Sequence, residues 1–349
     1  MNAMFEPLGL AAPIIQAPMA GAQDHRLAAA VCQAGGLGSV PAAMLDAEAL
    51  HAELSALRAL TDRPFNVNFF CHSPPAPDAE REARWQAALK PYYQAMGLDP
   101  SAIPSGPGRV PFNAESAEVL AAFRPAVVSF HFGLPAPELL ARVKSGGSLV
   151  LSSATTVQEA LWLQAHGADA VIAQGLEAGG HRGMFLSDDL STQMGTLALL
   201  PQMVKAVQVP VIAAGGIAGA DGVRAAKALG AAGVQIGTAY LCSHEASTSA
   251  LHRAALQSQA AQHTALTTLF SGRPARGIVN RLMRELGPMH SAAPAFPLAT
   301  AGIAPLRAAA EAQGSSDFTP LWAGQNTSAC HTLPAAEITR GFLQAWFSA

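Results

Sequence analysis

Charge is scarce in this chain. Only 13% of its 349 residues are Asp, Glu, Lys or Arg, against about 25% in an average globular protein. Acidic and basic residues nearly balance, 24 against 21, for a formal charge of -3 at pH 7. Neither a basic excess nor a basic run is present, so the electrostatic footprint of a nucleic-acid binder is missing. The four cysteines (Cys32, Cys71, Cys242, Cys330) lie far apart and form no C-x-x-C pair. That spacing argues against a disulfide scaffold and for a reducing, cytoplasmic setting. H-E-x-x-H, a dense Cys/His set, a P-loop lysine and G-x-S-x-G are all absent, which leaves metal-site, P-loop and serine-hydrolase chemistry without an anchor.

The N-terminus has no basic stretch, and Glu6 and Pro7 interrupt it early, so no signal peptide is expected. The longest uncharged stretch, residues 286–306, has the length of a membrane span. It carries Pro288, Pro294, Pro297 and Pro305 with two glycines, a content a spanning helix would not tolerate, and it reads as an ordered proline-rich loop. No membrane association is expected.

Apolar residues, by contrast, are plentiful at 50%, which excludes disorder and suits a sheet covered on both faces. Short apolar runs begin near Ile14, Gly36, Phe65, Ala126, Leu149, Ala170, Val211 and Gly233, and Ala/Leu-rich helical stretches such as 156–167 and 222–230 separate them. Several runs are spaced roughly 22 residues apart, the length of one βα unit. Eight such units predict a closed (β/α)8 TIM barrel, which needs about 250 residues. The excess falls in two places. One is an insert at about 71–112 with a charged helical stretch over 78–90. The other follows the eighth strand, with one or two helices, a basic turn (Arg273, Arg276, Arg281, Arg284) and the proline-rich loop. The expected division is therefore a barrel of residues 1–242 and 314–349, carrying the insert, and a smaller, mainly helical substrate or lid domain over 243–313. The basic turn reads as a solvated or inter-segment face.

Two glycine-bearing strand ends point to phosphate. Val211-Ile-Ala-Ala-Gly-Gly-Ile217 and Val234-Gln-Ile-Gly-Thr-Ala239 are the seventh and eighth strands, after which barrels often bind a phosphate group. Glycine lets backbone N–H groups approach the anion. Either motif alone equally suits a tight turn; at consecutive strand ends the pair favours phosphate. Directly after the sixth strand, Gln174-Gly-Leu-Glu-Ala-Gly-Gly-His-Arg-Gly183 sets polar and charged residues among glycines, an arrangement that fits close backbone approach to a ligand. Gln174 can hydrogen-bond a heterocycle through its amide. His181 can then act as a general base, while Glu177 and Arg182 orient the loop through ion pairing. His25, His51, His166, His252 and His263 carry the ordinary structural reading.

Asn68 in Asn66-Val-Asn-Phe69 and His131 in Ser129-Phe-His-Phe-Gly133 end the third and fourth strands, at the rim where barrel function sits. Each is a candidate for ligand contact; the alternatives are a satisfied turn residue for Asn68 and a hydrogen-bonded core histidine for His131. Ala17-Pro-Met-Ala-Gly21 reads as a rigid loop presenting backbone and an apolar side chain to a ring. Cys242 reads as core or helix entry rather than as a nucleophile.

Taken in order, Ala17–Gly21, Asn66–Phe69, Gln174–Gly183, Ala213-Ala-Gly-Gly216, Gly233-Val-Gln-Ile-Gly-Thr238 and Leu321-Trp-Ala-Gly-Gln325 resemble class I nitronate monooxygenases, formerly called 2-nitropropane dioxygenases. The resemblance covers nearly the whole chain. It implies a barrel holding FMN without a covalent bond. FMN contacts are implied from Met19, Asn68, Gln174, Gly179, Gly180, Gly215, Gly216, Gln235, Ile236, Gly237 and Thr238, with Trp322 and Gln325 closing over the flavin. His181 matches the family's catalytic histidine and His131 its active-site companion; no metal is implied. The implied activity is oxidation of alkyl nitronates, such as propionate 3-nitronate, with O2 to carbonyl compounds and nitrite via a flavin semiquinone, by a monomer or homodimer. A neutral nitroalkane would need His181 to remove its α-proton. A rival within the same barrel type is an FMN-dependent NAD(P)H enoyl-thioester or quinone reductase. One departure stands out: tyrosines that line the family's pocket have no counterpart in Pro294-Ala-Phe-Pro-Leu-Ala-Thr300.

Overall fold

The computed structural model describes residues 5–100, 103 and 108–348. Part of the expected insert, residues 101, 102 and 104–107, lies outside the described residues, as do the first four residues and the last of the expected barrel. Strands and helices alternate as β1 (Ile14–Gln16), α1 (His25–Gln33), β2 (Ser39–Pro41), α2 (Ala47–Leu60), β3 (Asn66–Phe70), α3 (Ala79–Ala95), α4 (Ala114–Phe123), β4 (Val127–His131), α5 (Pro137–Ser145), β5 (Leu149–Ala154), α6 (Val157–Ala165) and β6 (Ala170–Gln174). Then come β7 (Gly180–His181), α7 (Thr196–Ala206), β8 (Val211–Ala214), α8 (Ala220–Ala228), β9 (Gly233–Ile236), α9 (Ala250–Leu256), β10 (Thr264–Thr267), β11 (Ala275–Ile278), α10 (Arg281–Leu286), α11 (Ala299–Ala312) and α12 (Ala335–Phe347). Local sequence sets the helix starts: Asp24, Asp46, Asp78, Asn113 and Thr156 each accept a backbone N–H of the first turn, satisfying donors the helix itself leaves unpaired.

Eight strands pair in parallel in the order β1-β9-β8-β6-β5-β4-β3-β2. The two end strands are joined where Gln16 N donates to Leu37 O (2.9 Å) and Leu37 N to Ile14 O (2.8 Å). The sheet thus closes into the (β/α)8 TIM barrel the spacing predicts. Successive side chains of a strand face opposite ways. Val171, Ala173, Val211, Ala213, Val234 and Ile236 accordingly pack outward under the helices, with Leu199, Met203 and Val223. Ala170, Ile172, Ile212 and Ala214 point inward and meet Ile15, Leu37, Val127 and Leu151, with Phe5 and Leu10 in the same cluster.

The two excess segments meet each other. Trp85, Leu89, Tyr92 and Tyr93 of α3 share an apolar cluster with Leu269, Leu282, Ile303, Leu306 and Phe318, and the Tyr93 hydroxyl donates to Gly302 O (2.7 Å). A Cβ on Gly302 would stand 2.8 Å from Leu89 Cδ1, so glycine there permits α3 and α11 to approach. Helices dominate the segment after β9, as expected, but it also holds a feature the sequence reading lacked. β10 and β11 form an antiparallel hairpin, and β7 pairs with β11. The supposed basic turn is in part this hairpin: Arg276 sits within β11 and is buried, so its face is inter-segment rather than solvated. The uncharged stretch 286–306 is divided between a loop and α11, and among the described residues no helix is long and apolar enough to cross a membrane.

Candidate active site

The carboxyl ends of the barrel strands open into a cavity of about 460 Å3, within the ~300–1,000 Å3 typical of small-molecule and cofactor sites. Met19, Asn68, His131, Gln174, Gly179, Gly180, His181, Gly215, Gly216, Gln235, Gly237, Thr238 and Trp322 all line it. Ile236 and Gln325 do not. Ile236 lies on the outward face of β9, buried in the helix-packed core, because strand alternation turns Gln235 inward in its place. Gln325 is exposed, and its backbone N–H donates to Glu177 O (2.9 Å).

At the β8 and β9 ends the backbone is bare. Gly215 and Gly216 have φ of +111° and +71°, values that favour glycine. A Cβ on Gly237 would lie 3.3 Å from the Ala17 Cβ, so a side chain there would crowd the first loop. The Thr238 hydroxyl accepts from Gly324 N (2.9 Å), tying the 321–326 segment to this cradle. Gly180 has φ +70° and nothing within 4 Å of where its Cβ would be. Gln235 Oε1 is buried without a hydrogen-bond partner. Open backbone donors beside an orphaned buried acceptor suit a polar, ring-bearing ligand that supplies the missing partners.

The 174–183 loop is built around two side chains. Gln174 Nε2 donates to His181 O (2.9 Å), and its Oε1 accepts from Gly183 N (2.8 Å). Each end of the amide therefore has a partner within the loop. Arg182 is fully buried and donates to Gly175 O (2.6 Å), Gln174 O (2.7 Å) and Gln193 Oε1 (3.0 Å). Burial pulls its pKa down to about 10, so it stays cationic at neutral pH. Glu177 accepts from Thr196 N (2.8 Å) and Thr196 Oγ1 (2.9 Å) at the start of α7. Both charged residues orient the loop as expected, but through hydrogen bonds rather than a shared ion pair.

His181 stands at the end of β7, its backbone paired with Ala275 of the hairpin. His131 Nε2 is 3.1 Å from His181 O, and His181 Nε2 is 2.8 Å from Ser271 Oγ. Asn68 Nδ2 donates to Ser129 Oγ (3.0 Å) and Ser129 O (3.2 Å), which fixes the amide within β3 rather than in a turn. An aromatic wall completes this side: Phe70, Phe132 and Phe296 have ring centroids 6.0, 6.1 and 5.3 Å from that of His181, and Trp322 lies 5.6 Å away. Phe132 has φ +69°, the kind of strained backbone that clusters at functional sites.

Several cavity groups carried no sequence signal. Arg109 comes from the insert, beside His72, whose Nε2 contacts Arg109 O at 3.0 Å. His252, given a structural reading, also borders the cavity. Burial lowers His131 and His252 to about 4 and, with Arg109, His131 and Arg273 nearby, holds His181 well below its usual range. At neutral pH these imidazoles are uncharged. Among the described residues no Asp or Glu lines the cavity, and no group of three or more His, Cys, Asp or Glu is placed to hold a metal ion.

A family model described as "Nitronate monooxygenase" matches residues 2–344. The chain is 44% identical to the nitronate monooxygenase of Paraburkholderia phytofirmans, over 97% of this chain and 93% of the relative. Its structure is similar to that of a nitroalkane oxidase from Streptomyces ansochromogenes, with a TM-score of 0.90 and 40% identity over 99% of this chain and 98% of the other. FabK from Thermotoga maritima is more distant, at TM-score 0.72 and 26% identity over 99% and 96% of the two chains. A TIM barrel whose glycine cradle and histidine loop open on one cavity, matched over nearly its whole length, makes this oxidoreductase a member of the nitronate monooxygenase family.

Proposed function

We propose that the protein is an FMN-dependent monooxygenase that oxidises alkyl nitronates, such as propionate 3-nitronate, with O2 to carbonyl compounds and nitrite. The observation that carries this reading is the single cavity that joins the glycine cradle at the β8 and β9 ends to an uncharged His181. The cradle suits the FMN phosphate, held by backbone groups of Gly215, Gly216, Gly237 and Thr238. Met19, Asn68, Gln174, Gly179, Gly180, Gln235 and Trp322 would border the ring system, and the orphaned Gln235 Oε1 fits a ring N–H donor. When bound, FMN supplies the redox chemistry between nitronate and O2; the chain supplies binding, orientation and exclusion of water.

His181 is in the protonation state a general base needs, so with a neutral nitroalkane its imidazole takes the α-proton. A nitronate arrives already deprotonated and does not need that step. His131 acts through His181, holding its carbonyl. Residues 243–313 form the substrate lobe over a barrel of 1–242 and 314–349, and a cytoplasmic monomer or homodimer belongs to the same reading.

The test is His181→Asn, followed by oxygen uptake and nitrite release. Loss on a nitroalkane with nitronate turnover largely kept supports the base role, and equal loss on both refutes it. Anaerobic mixing with NADH or NADPH tests the reductase alternative: rapid bleaching of the flavin overturns the monooxygenase reading, and an unchanged spectrum supports it.

A further inference from the structure

The cavity has an unbalanced charge. Two charged side chains line it among the described residues, Arg109 and Arg307. Arg307 Nε is paired with Glu311 Oε1 at 2.8 Å. Arg109 has no carboxylate within salt-bridge distance among the described residues, and the residues outside that set include no Asp or Glu. Its guanidinium instead lies 5.9 Å from the Phe296 ring centroid, and the same ring is 5.3 Å from His181.

The backbone that carries it is held in place. His72 Nε2 binds Arg109 O at 3.0 Å, and Phe112 N donates to Phe70 O (2.9 Å). A Cβ on Gly108 would stand 2.9 Å from Pro297 Cγ. The segment is thus fixed between the end of β3 and the proline-rich loop. In the barrel β3 lies opposite β8, with β6, β5 and β4 between them, so Arg109 faces the side away from the glycine cradle. An unpaired guanidinium half-buried in an aromatic wall lacks a counter-ion, and its planar fork fits a carboxylate.

We infer that Arg109 is a specificity-determining residue that binds a second anionic group, a carboxylate at the far end of the substrate from the reacting nitronate carbon. The inference rests on the nitronate reading of the site. It makes the enzyme select carboxylate-bearing nitronates over neutral-tailed ones of the same length.

The experiment compares propionate 3-nitronate with propyl-1-nitronate, in which a methyl replaces the carboxylate, on the flavin-loaded enzyme and its Arg109→Met and Arg109→Lys variants. A lost charge-assisted hydrogen bond predicts that Arg109→Met lowers kcat/KM for the carboxylate substrate about 10- to 100-fold through KM, and that for propyl-1-nitronate by less than about threefold. Arg109→Lys recovers part of the difference. Parallel loss on both substrates, or no loss on either, overturns the inference. Calorimetry with succinate and butyrate gives a readout independent of turnover: the wild type binds succinate more tightly, and Arg109→Met removes the margin. An equal affinity of the wild type for both overturns the inference as well. If the wild type oxidises neither nitronate, the functional reading fails, while a succinate margin that depends on Arg109 still supports the anion site.

Discussion

Ser271 Oγ lies 2.8 Å from His181 Nε2, and the contact runs from the segment after β9 to the loop that follows β6. Ser271 is 2% exposed, so few waters can replace it. Ser271→Ala should leave one imidazole nitrogen without its partner, at a cost of about 1–3 kcal/mol. We expect nitroalkane turnover to fall roughly tenfold and nitronate turnover to change much less. Steady-state rates on both substrates check this; equal rates for the variant and wild type on nitroalkane would show that the hydroxyl has no part in orienting His181.

Gly183 sets the position of His131. A Cβ at 183 would come within 2.9 Å of both His131 Cε1 and Ser153 Cβ. Gly183→Ala should therefore displace His131 from His181 O and cost about 1–3 kcal/mol of stability, as overpacking does. Combining it with His131→Ala should relieve part of that cost. Denaturation midpoints of the single and double variants give the coupling, and strict additivity would rule the steric link out.

Backbone freedom at the β8 end should govern cofactor retention. Gly215 has φ +111°, and its Cβ would meet Thr196 Oγ1 at 3.0 Å and Ala178 N at 3.1 Å. Gly147, with φ +89° and open space around its Cβ, lies outside the cavity and serves as the control. Both alanine variants should lose about 1–3 kcal/mol of stability through strain, but only Gly215→Ala should weaken FMN binding, by roughly tenfold. Flavin released on dialysis measures the difference. Equal retention in the two variants would remove Gly215 from the phosphate cradle.

Acid should destabilise the fold before it protonates the carboxylates fully. Burial lowers His131 and His252 from 6.5 to about 4. Between those values the unfolded chain holds more protons than the native one, so stability rises with pH across the window. It is fully present above about pH 6.5 and is lost as the pH falls toward about 4. Urea midpoints from pH 4 to 7 should show the trend, and His131→Gln should flatten it. An unchanged slope in the variant would mean that His131 is not held neutral.

Much of this was legible because the signals were periodic or glycine-marked. All eight barrel strands begin within about three residues of an apolar run's start. The 174–183 loop could be singled out because few purposes other than ligand approach bring polar residues and glycines together there. Finer assignments failed where a side chain's direction matters. Gln235 and Ile236 belong to one motif, and only the alternation of β9 separates a cavity residue from a core one. Gln174 is the last residue of β6 rather than the first after it, and its amide serves the loop. β11 reads Ala-Arg-Gly-Ile, a sequence with weak strand preference whose pairing is decided by tertiary contacts. Arg109 had no signal at all, since one arginine in a Gly/Pro-rich stretch acquires meaning only from what surrounds it in space.

The pairing of Ala275 with His181 restricts how the enzyme can breathe. The hairpin shares a hydrogen-bonded ladder with the cavity-lining histidine, and Arg276 of the same strand binds Leu176 O at 2.9 Å. Any displacement of the hairpin would carry the histidine with it. While that ladder holds, His181 keeps its place, and the site need not be rebuilt at each turnover.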